Sequence, residues 1–171
     1  RFITSHPRDA EKELFMAMRA LDKVMEHLHL PIQAGSDRIL KLMNRGYTLR
    51  HYLDIIEEFR HILPEGSLGT DIIVGVPGEK EAEFKETLKA VSDIGFDLAY
   101  MYKYSPRPGT KAYEFEDNID EDVIKARHQE LLKLQEEISL RKNQALIGKR
   151  AEVLVEGKSK RNPKRLSGRD R

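Results

Sequence analysis

The feature that most constrains this chain is a repeated switch in apolar spacing, from short β-branched runs to stripes recurring every third or fourth residue. Residues 1–5 read as a strand closed by His6-Pro7. Asp9 opens a helix that places Leu14, Met18 and Leu21 on one stripe. Residues 24–33 form a second strand, and a short helix after Ser36 turns Ile39, Leu40 and Met43 inward. Thr48 caps a longer helix whose inner face is Tyr52, Ile56, Phe59 and Leu63, stopped by Pro64 and Gly66. Residues 68–76 are the third strand, apolar on both faces at Ile72-Ile73-Val74, as a parallel strand covered by helices must be. A helix over 80–94 buries Phe84, Leu88 and Val91 and ends at Gly95. Residues 96–104 are the fourth strand, and Ser105-Pro106-Arg107-Pro108-Gly109 is a turn. A long helix over 121–147 carries Ile124, Leu131, Ile138 and Ala145 at sevenfold spacing, with Leu134 beside them, and stops at Gly148. Residues 151–155 begin a strand of different character, and 158–171 continue it as a basic, turn-rich segment.

Alternating strands and helices imply a parallel sheet with right-handed crossovers. Four such strands belong either to an open doubly wound sheet or to part of a β/α barrel. In both, ligands meet the C-terminal ends of the strands. Those ends are Ser5-His6-Pro7, residues 31–36, Gly75-Val76-Pro77-Gly78-Glu79, and residues 104–110. They hold most of the Pro-Gly turns and several uncharged polar groups, which is the reason to expect a ligand there.

Composition narrows the classes. At 171 residues the chain fits one domain, or one domain and part of another. No apolar run reaches the ~20 residues of a membrane span, and no signal peptide opens the sequence. The cytoplasm is the expected compartment. With no Cys, disulfides and thiolate-held zinc or iron–sulfur sites within these residues are excluded. The opening at Arg1, without Met and directly in an apolar stretch, is expected of a piece of a longer protein. Net charge is only +1, yet residues 158–171 hold seven Lys or Arg and one Asp. Such a run is either a solvated terminus or a contact for a polyanion such as RNA.

Several residues can carry chemistry. Gln33 ends a strand, where an amide facing a crevice needs partners. Ser36 either caps its helix or offers that helix N-terminus to a ligand. Asp71 lies within an apolar strand and must be hydrogen-bonded, either to a ligand ribose or to neighbouring backbone. Arg45 follows a helix end and either lies on the surface or presents its planar fork to a carboxylate. His27 and His29 share strand parity, so they are either packed histidines or two ligands of a metal. Residues 75–79 lack the Lys-Ser/Thr of a phosphate loop. Ser5 and His6 face opposite ways on a strand and make no nucleophile pair.

The segments His27-Leu28-His29-Leu30-Pro31-Ile32-Gln33-Ala34-Gly35-Ser36, with Leu40 and Met43-Asn44-Arg45-Gly46-Tyr47-Thr48, resemble the methylthiotransferase branch of the radical S-adenosylmethionine (SAM) enzymes. So do Thr70-Asp71-Ile72-Ile73-Val74-Gly75-Val76-Pro77-Gly78-Glu79 and Tyr104-Ser105-Pro106-Arg107-Pro108-Gly109-Thr110. Leu154-Val155-Glu156-Gly157 and Leu166-Ser167-Gly168-Arg169 resemble the opening of that family's C-terminal RNA-binding TRAM domain. The resemblance spans nearly the whole chain and is closest to the branch that adds a methylthio group to C2 of N6-isopentenyladenosine beside the tRNA anticodon. Sister branches act on threonylcarbamoyladenosine or on a ribosomal protein.

The resemblance implies an α/β fold: the last four β/α units of a partial, TIM-like radical SAM barrel over 1–148, then the start of a small β TRAM domain over 149–171. It implies SAM contacts from Ser5, Gln33, Ser36, Arg45 and Asp71, with Val74 in the backbone stretch that lies against adenine. It implies RNA contacts from Lys158, Lys160, Arg161, Lys164, Arg165 and Arg169. The partners it implies are SAM and the tRNA anticodon stem-loop, with no membrane. The whole enzyme of that family carries two 4Fe–4S clusters, whose cysteines have no counterpart here, so the chain alone is expected to bind neither cluster, to bind SAM weakly at most and to be inactive, with no catalytic residue of its own. A half barrel also exposes a strand edge, through which dimerisation is expected. Two rival readings remain: an RNA-binding module working through its basic tail, and a metal-dependent barrel hydrolase built on His27 and His29.

Overall fold

The computed structural model describes residues 5–109, 111–115 and 119–170. Three parallel strands form the main sheet in the order β1 (His27–His29), β2 (Ser67–Val74), β3 (Leu98–Lys103). His29 lies opposite Gly69, Asp71 opposite Tyr100 and Ile73 opposite Tyr102. Between the strands run α2 (Asp37–Leu42), α3 (Leu49–Ile62) and α4 (Glu81–Ile94); α1 (Lys12–Ala20) precedes β1 and α5 (Glu121–Gln144) follows β3. A separate antiparallel hairpin joins β4 (Val153–Lys158) to β5 (Leu166–Asp170). Of the strand expected over 1–5, only Ser5 lies within the described residues, and its N–H donates to the His29 carbonyl at 3.0 Å.

Strand parity splits the sheet into two unlike faces. Leu28, Leu68, Thr70, Ile72 and Val74 are buried in one core with Phe15, Tyr52, Phe59 and Phe84 of the helices. His27, His29, Gly69, Asp71, Ile73 and, on β3, Leu98, Tyr100 and Tyr102 look the other way. On β3 that face is half open: Leu98, Tyr100 and Tyr102 are all exposed. One covered and one open face is what part of a barrel, rather than a doubly wound sheet, presents.

Most expected elements form, with shifts that have local causes. Thr48 does cap α3, its Oγ1 accepting from the His51 amide at 3.2 Å. Gly95 ends α4 at φ +62°. The first helix starts at Lys12, because Pro7–Asp9 is taken by a 3-10 turn. Its buried face is Phe15 and Met18, and Leu21 is exposed. The second strand is only three residues long, because the chain falls out of step with β2 beyond Leu30: the Leu30 N–H still reaches the Gly69 carbonyl, the Ile32 N–H turns to Thr70 Oγ1, and the segment touches β2 again in a bridge, Gln33 to Ile72. In α5 the stripe holds at Ile124, Leu131 and Ile138 and fails at Ala145, which is exposed where the helix ends. The stretch expected to be turn-rich beyond residue 158 contains β5. Its turns are confined to 159–165, where Arg161 and Asn162 N–H groups donate to Ser159 Oγ and Ser159 N–H reaches the Arg165 carbonyl.

Candidate functional site

The site follows from how the chain leaves β1. Without a ladder partner at Pro31, the segment 30–35 is held by side chains from the covered face. The Tyr52 hydroxyl donates to the Leu30 carbonyl at 2.7 Å. The Tyr47 hydroxyl reaches the carbonyls of Pro31 and Ile32, both at 3.1 Å. Thr70 Oγ1 donates to Leu30 O at 3.0 Å and accepts from Ile32 N–H at 2.9 Å, and Thr87 Oγ1 accepts from Gly35 N–H at 2.9 Å. Burial pushes the Tyr47 phenol up to about 12 and that of Tyr52 further up, so both keep their protons as donors.

These bonds fix Gln33. Its N–H donates to the Asp71 carbonyl and its carbonyl accepts from Ile73 N–H, both at 2.9 Å, while its φ is +68°. A left-handed, non-glycine residue costs on the order of 1–2 kcal/mol, and such strain collects at functional positions. With both backbone groups committed to β2, the side-chain amide is what Gln33 offers to the hollow beside it.

Arg45 is placed by the end of α2. Asn44 adopts φ +56°, its N–H donates to Lys41 O and the Arg45 N–H donates to Leu40 O, both at 3.0 Å. That is a Schellman closure with Asn in the left-handed position, and Gly46 at φ +72° then turns the chain away. Arg45 Nε is buried and has no hydrogen-bond partner among the described residues. Asp71 arrives by parity on the open face of β2, with Oδ1 at 3.4 Å from His29 Nε2. His29 itself packs against the Tyr100 ring at 6.0 Å between centroids.

Gln33, Arg45 and Asp71 all line one hollow of about 540 Å³ at the C-terminal ends of β2 and β3. Ile73 and Val76 give it an apolar wall, and Tyr102, Lys103, Tyr104, Ser105 and Arg107 close the β3 side. Its charged lining is Arg45, Lys103 and Arg107 against Asp71, a positive balance suited to a ligand with an anionic group. An unpartnered buried guanidinium nitrogen, an amide and a carboxylate fit the carboxylate, amine and hydroxyl groups of an amino-acid nucleoside such as SAM.

Three other expected contacts are not among the side chains that line this hollow. Ser36 lines a different hollow of about 660 Å³, between α2, α3 and α4, with Asp37, Arg38 and Glu83. It makes no side-chain cap either. Val74 points into the helix-covered core, because Ile73 holds the parity that faces the hollow. Ser5 is beside β1 but outside the residues lining the hollow. Sequence reasoning missed Tyr102, whose only signal was sharing parity with Leu98 and Tyr100. It also missed the supporting hydroxyls of Tyr47, Thr70 and Thr87, the first two named only within motifs of the resemblance. His27 and His29 face the same side as expected, and their partners are Ser67 Oγ at 2.7 Å and Asp71.

The basic residues expected to meet RNA lie together on the β4–β5 hairpin. Lys158, Lys160, Arg161, Lys164, Arg165 and Arg169 are all exposed. Arg169 is paired with Glu156 at 2.5 Å.

A parallel β/α layer, open on one face, places an amide, a guanidinium and a carboxylate around one hollow at the C-terminal ends of its strands, where ligands of such sheets bind. The chain belongs to the radical SAM superfamily, whose family model matches residues 1–91. It is 52% identical over all 171 residues to a Moorella thermoacetica protein named tRNA-2-methylthio-N(6)-dimethylallyladenosine synthase, covering 38% of that protein. A Thermoanaerobacter sp. (strain X514) protein of the same name is 53% identical over the same span, which is 36% of its length. The chain thus spans well under half the length of these curated relatives. Among solved structures, coproporphyrinogen III oxidase (HemN) from Escherichia coli, titled a radical SAM enzyme, superposes with a TM-score of 0.56 at 21% identity. That match covers 82% of this chain and 30% of the other, and at such identity it is a likeness of fold. Among the described residues no helix is long and apolar enough to cross a membrane.

Proposed function

We propose that this chain forms the SAM-binding wall and the first RNA-binding strands of a tRNA methylthiotransferase that acts on N6-dimethylallyladenosine, also called N6-isopentenyladenosine. The observation that carries the reading is the convergence of Gln33, Arg45 and Asp71 on one hollow, with a buried Arg45 nitrogen that has no partner among the described residues. The names of the relatives favour this substrate over threonylcarbamoyladenosine or a ribosomal protein.

In this reading Arg45 holds the carboxylate of the methionyl group and Gln33 its amine or a ribose oxygen. Asp71 accepts from a ribose hydroxyl, and His29 keeps its carboxylate turned to the open face. Ile73 and Val76 exclude water from one side of the adenine. Bound SAM supplies the adenosyl group for radical chemistry and the methyl group for transfer. The 171 residues contain no Cys, so they do not fit an iron–sulfur cluster, and cluster ligands belong to other parts of such an enzyme. The β4–β5 hairpin is the beginning of a TRAM domain spanning 149 onward. Its exposed cations neutralise phosphates of the anticodon stem-loop, which sets affinity without reading bases. A tRNA substrate assigns the protein to the cytoplasm.

The test is an NMR titration of the chain with SAM into the millimolar range, following amides around the hollow. Arg45→Met removes a charge-assisted contact of about 1.5–3 kcal/mol, so affinity falls roughly 10-fold or more. Arg45→Met binding SAM as well as the wild type would remove the basis of the assignment.

A further inference from the structure

The loop that supplies Val76 to the hollow is built in an unusual way. Gly75 and Gly78 sit at φ +75° and +80°. Between them the chain folds back so that Glu79 Oε2 accepts from the Gly75 N–H at 2.9 Å, and the Glu79 N–H donates to the Val76 carbonyl at 2.8 Å. The Glu79 side chain is 1% exposed.

The closed loop is tied to α5 from below. Arg127 Nη1 donates to Glu79 Oε2 at 3.0 Å and to the Glu79 carbonyl at 3.1 Å. Its Nη2 reaches Glu81 Oε2 at 3.4 Å, and its guanidinium lies 5.5 Å from the centre of the Phe84 ring. One turn earlier, Ile124 fills the space above Gly75, where an added Cβ would sit 2.8 Å from its side chain.

A buried ion pair is a poor device for stability alone, because well-packed apolar residues of similar volume do as well or better. This one leaves Arg127 Nε buried without a partner among the described residues, so it is not optimised for stability. What its geometry supplies is a single position for a loop whose glycines allow many. We infer that Glu79 and Arg127 are positioning residues: they clamp residues 75–79 onto α5 so that Val76 stands as a fixed wall of the ligand hollow. This rests on the SAM-site reading for its consequence, but not for the clamp itself. Neither residue lines the hollow, so both act through Val76.

The test uses the whole chain with Arg127→Met, Arg127→Lys and Glu79→Gln, each checked by the exchange protection of β2 amides. In Arg127→Met, amide exchange at Gly75 and Glu79 accelerates at least 10-fold while β2 stays protected, and the SAM dissociation constant rises about 10-fold. Arg127→Lys, which keeps the charge and one donor, returns the affinity to within about 3-fold of wild type. Should Arg127→Met fail to fold, Glu79→Gln and Arg127→Lys carry the same comparison. Unchanged loop exchange overturns the clamp; so does a loosened loop that binds SAM at wild-type affinity. If the wild type shows no response to SAM, the functional reading fails by itself, and loop exchange alone decides the clamp.

Discussion

Replacing Gly75 with Ala tests whether α5 is seated on the end of β2. Two costs add. At φ +75° an L-residue is strained by roughly 1–2 kcal/mol. The new methyl would also lie 2.8 Å from Cγ1 and Cγ2 of Ile124 and 3.0 Å from its Cδ1, and overpacking of this kind costs about 1–3 kcal/mol. The sum is about 2–5 kcal/mol, or a fall in Tm of roughly 4–20 °C for a chain of this size. Gly95 isolates the first cost, since its φ is +62° and nothing lies within 4 Å of a Cβ there. Gly95→Ala should therefore lose only about 1–2 kcal/mol. The second cost is read from a double-mutant cycle: Ile124→Ala removes the obstructing atoms, so Gly75→Ala in that background should be milder by about 1–3 kcal/mol. Urea unfolding followed by circular dichroism measures all five proteins: the wild type, the two glycine variants, Ile124→Ala and the double variant. If Gly75→Ala costs no more than Gly95→Ala, or shows no coupling to Ile124, the packing of α5 on this loop is wrong, and the clamp built on it falls too.

Other expectations follow from single contacts. Tyr52→Phe removes the 2.7 Å donor to the Leu30 carbonyl, which keeps the Thr70 hydroxyl at 3.0 Å, so the cost should be about 0.5–1.5 kcal/mol in urea unfolding. Gly35→Ala should be worse than either glycine above, because its Cβ would meet the backbone of Glu86 and Thr87 at 2.6 Å, which cannot rotate away; failure to lower Tm would refute the packing of 33–36 on α4. The Arg38 guanidinium holds the Glu83 carboxyl below its ordinary 4.5. The folded pKa lies under the unfolded one, so this contribution is complete above pH 4.5 and is lost as pH falls through the folded value. Glu83→Gln should accordingly flatten the acid limb of stability against pH. Charge reversal at Lys160, Arg161, Lys164 and Arg165 should weaken binding of an anticodon stem-loop RNA. In fluorescence polarisation, each lost phosphate contact lowers the salt slope by about 0.7–0.9, and an unchanged slope would exclude the hairpin as the contact.

Element type and order were legible from spacing alone, because burial on one side forces period on the side chains. The stripe Tyr52, Ile56, Phe59 in α3 and the two-faced apolarity of β2 needed no partner to be recognised. The strand tips were legible as the place to expect a ligand, and Gln33, Arg45 and Asp71 as candidate polar groups, which the structure brings to one hollow. What spacing could not say was where each pattern stops. Leu21 and Ala145 continue their stripes in sequence yet lie at helix ends with nothing to pack against. Likewise β1 shrinks to three residues because the chain falls out of step with β2 between Leu30 and Gln33.

Sequence by itself determined that strands alternate with helices, that no thiolate site can form within these residues, and which polar side chains are candidates to meet a ligand. Only the tertiary structure decided which of them meet. Strand parity is strict, so a one-residue difference put Ile73 on the hollow and Val74 in the core. The Schellman turn at Asn44 sent Arg45 towards Asp71, while Ser36, three residues beyond Gln33, was carried to the far side of the layer. The bond between Glu79 and Arg127 joins residues 48 positions apart, and its role depends on α5 crossing beneath β2, a packing outcome that no local pattern encodes.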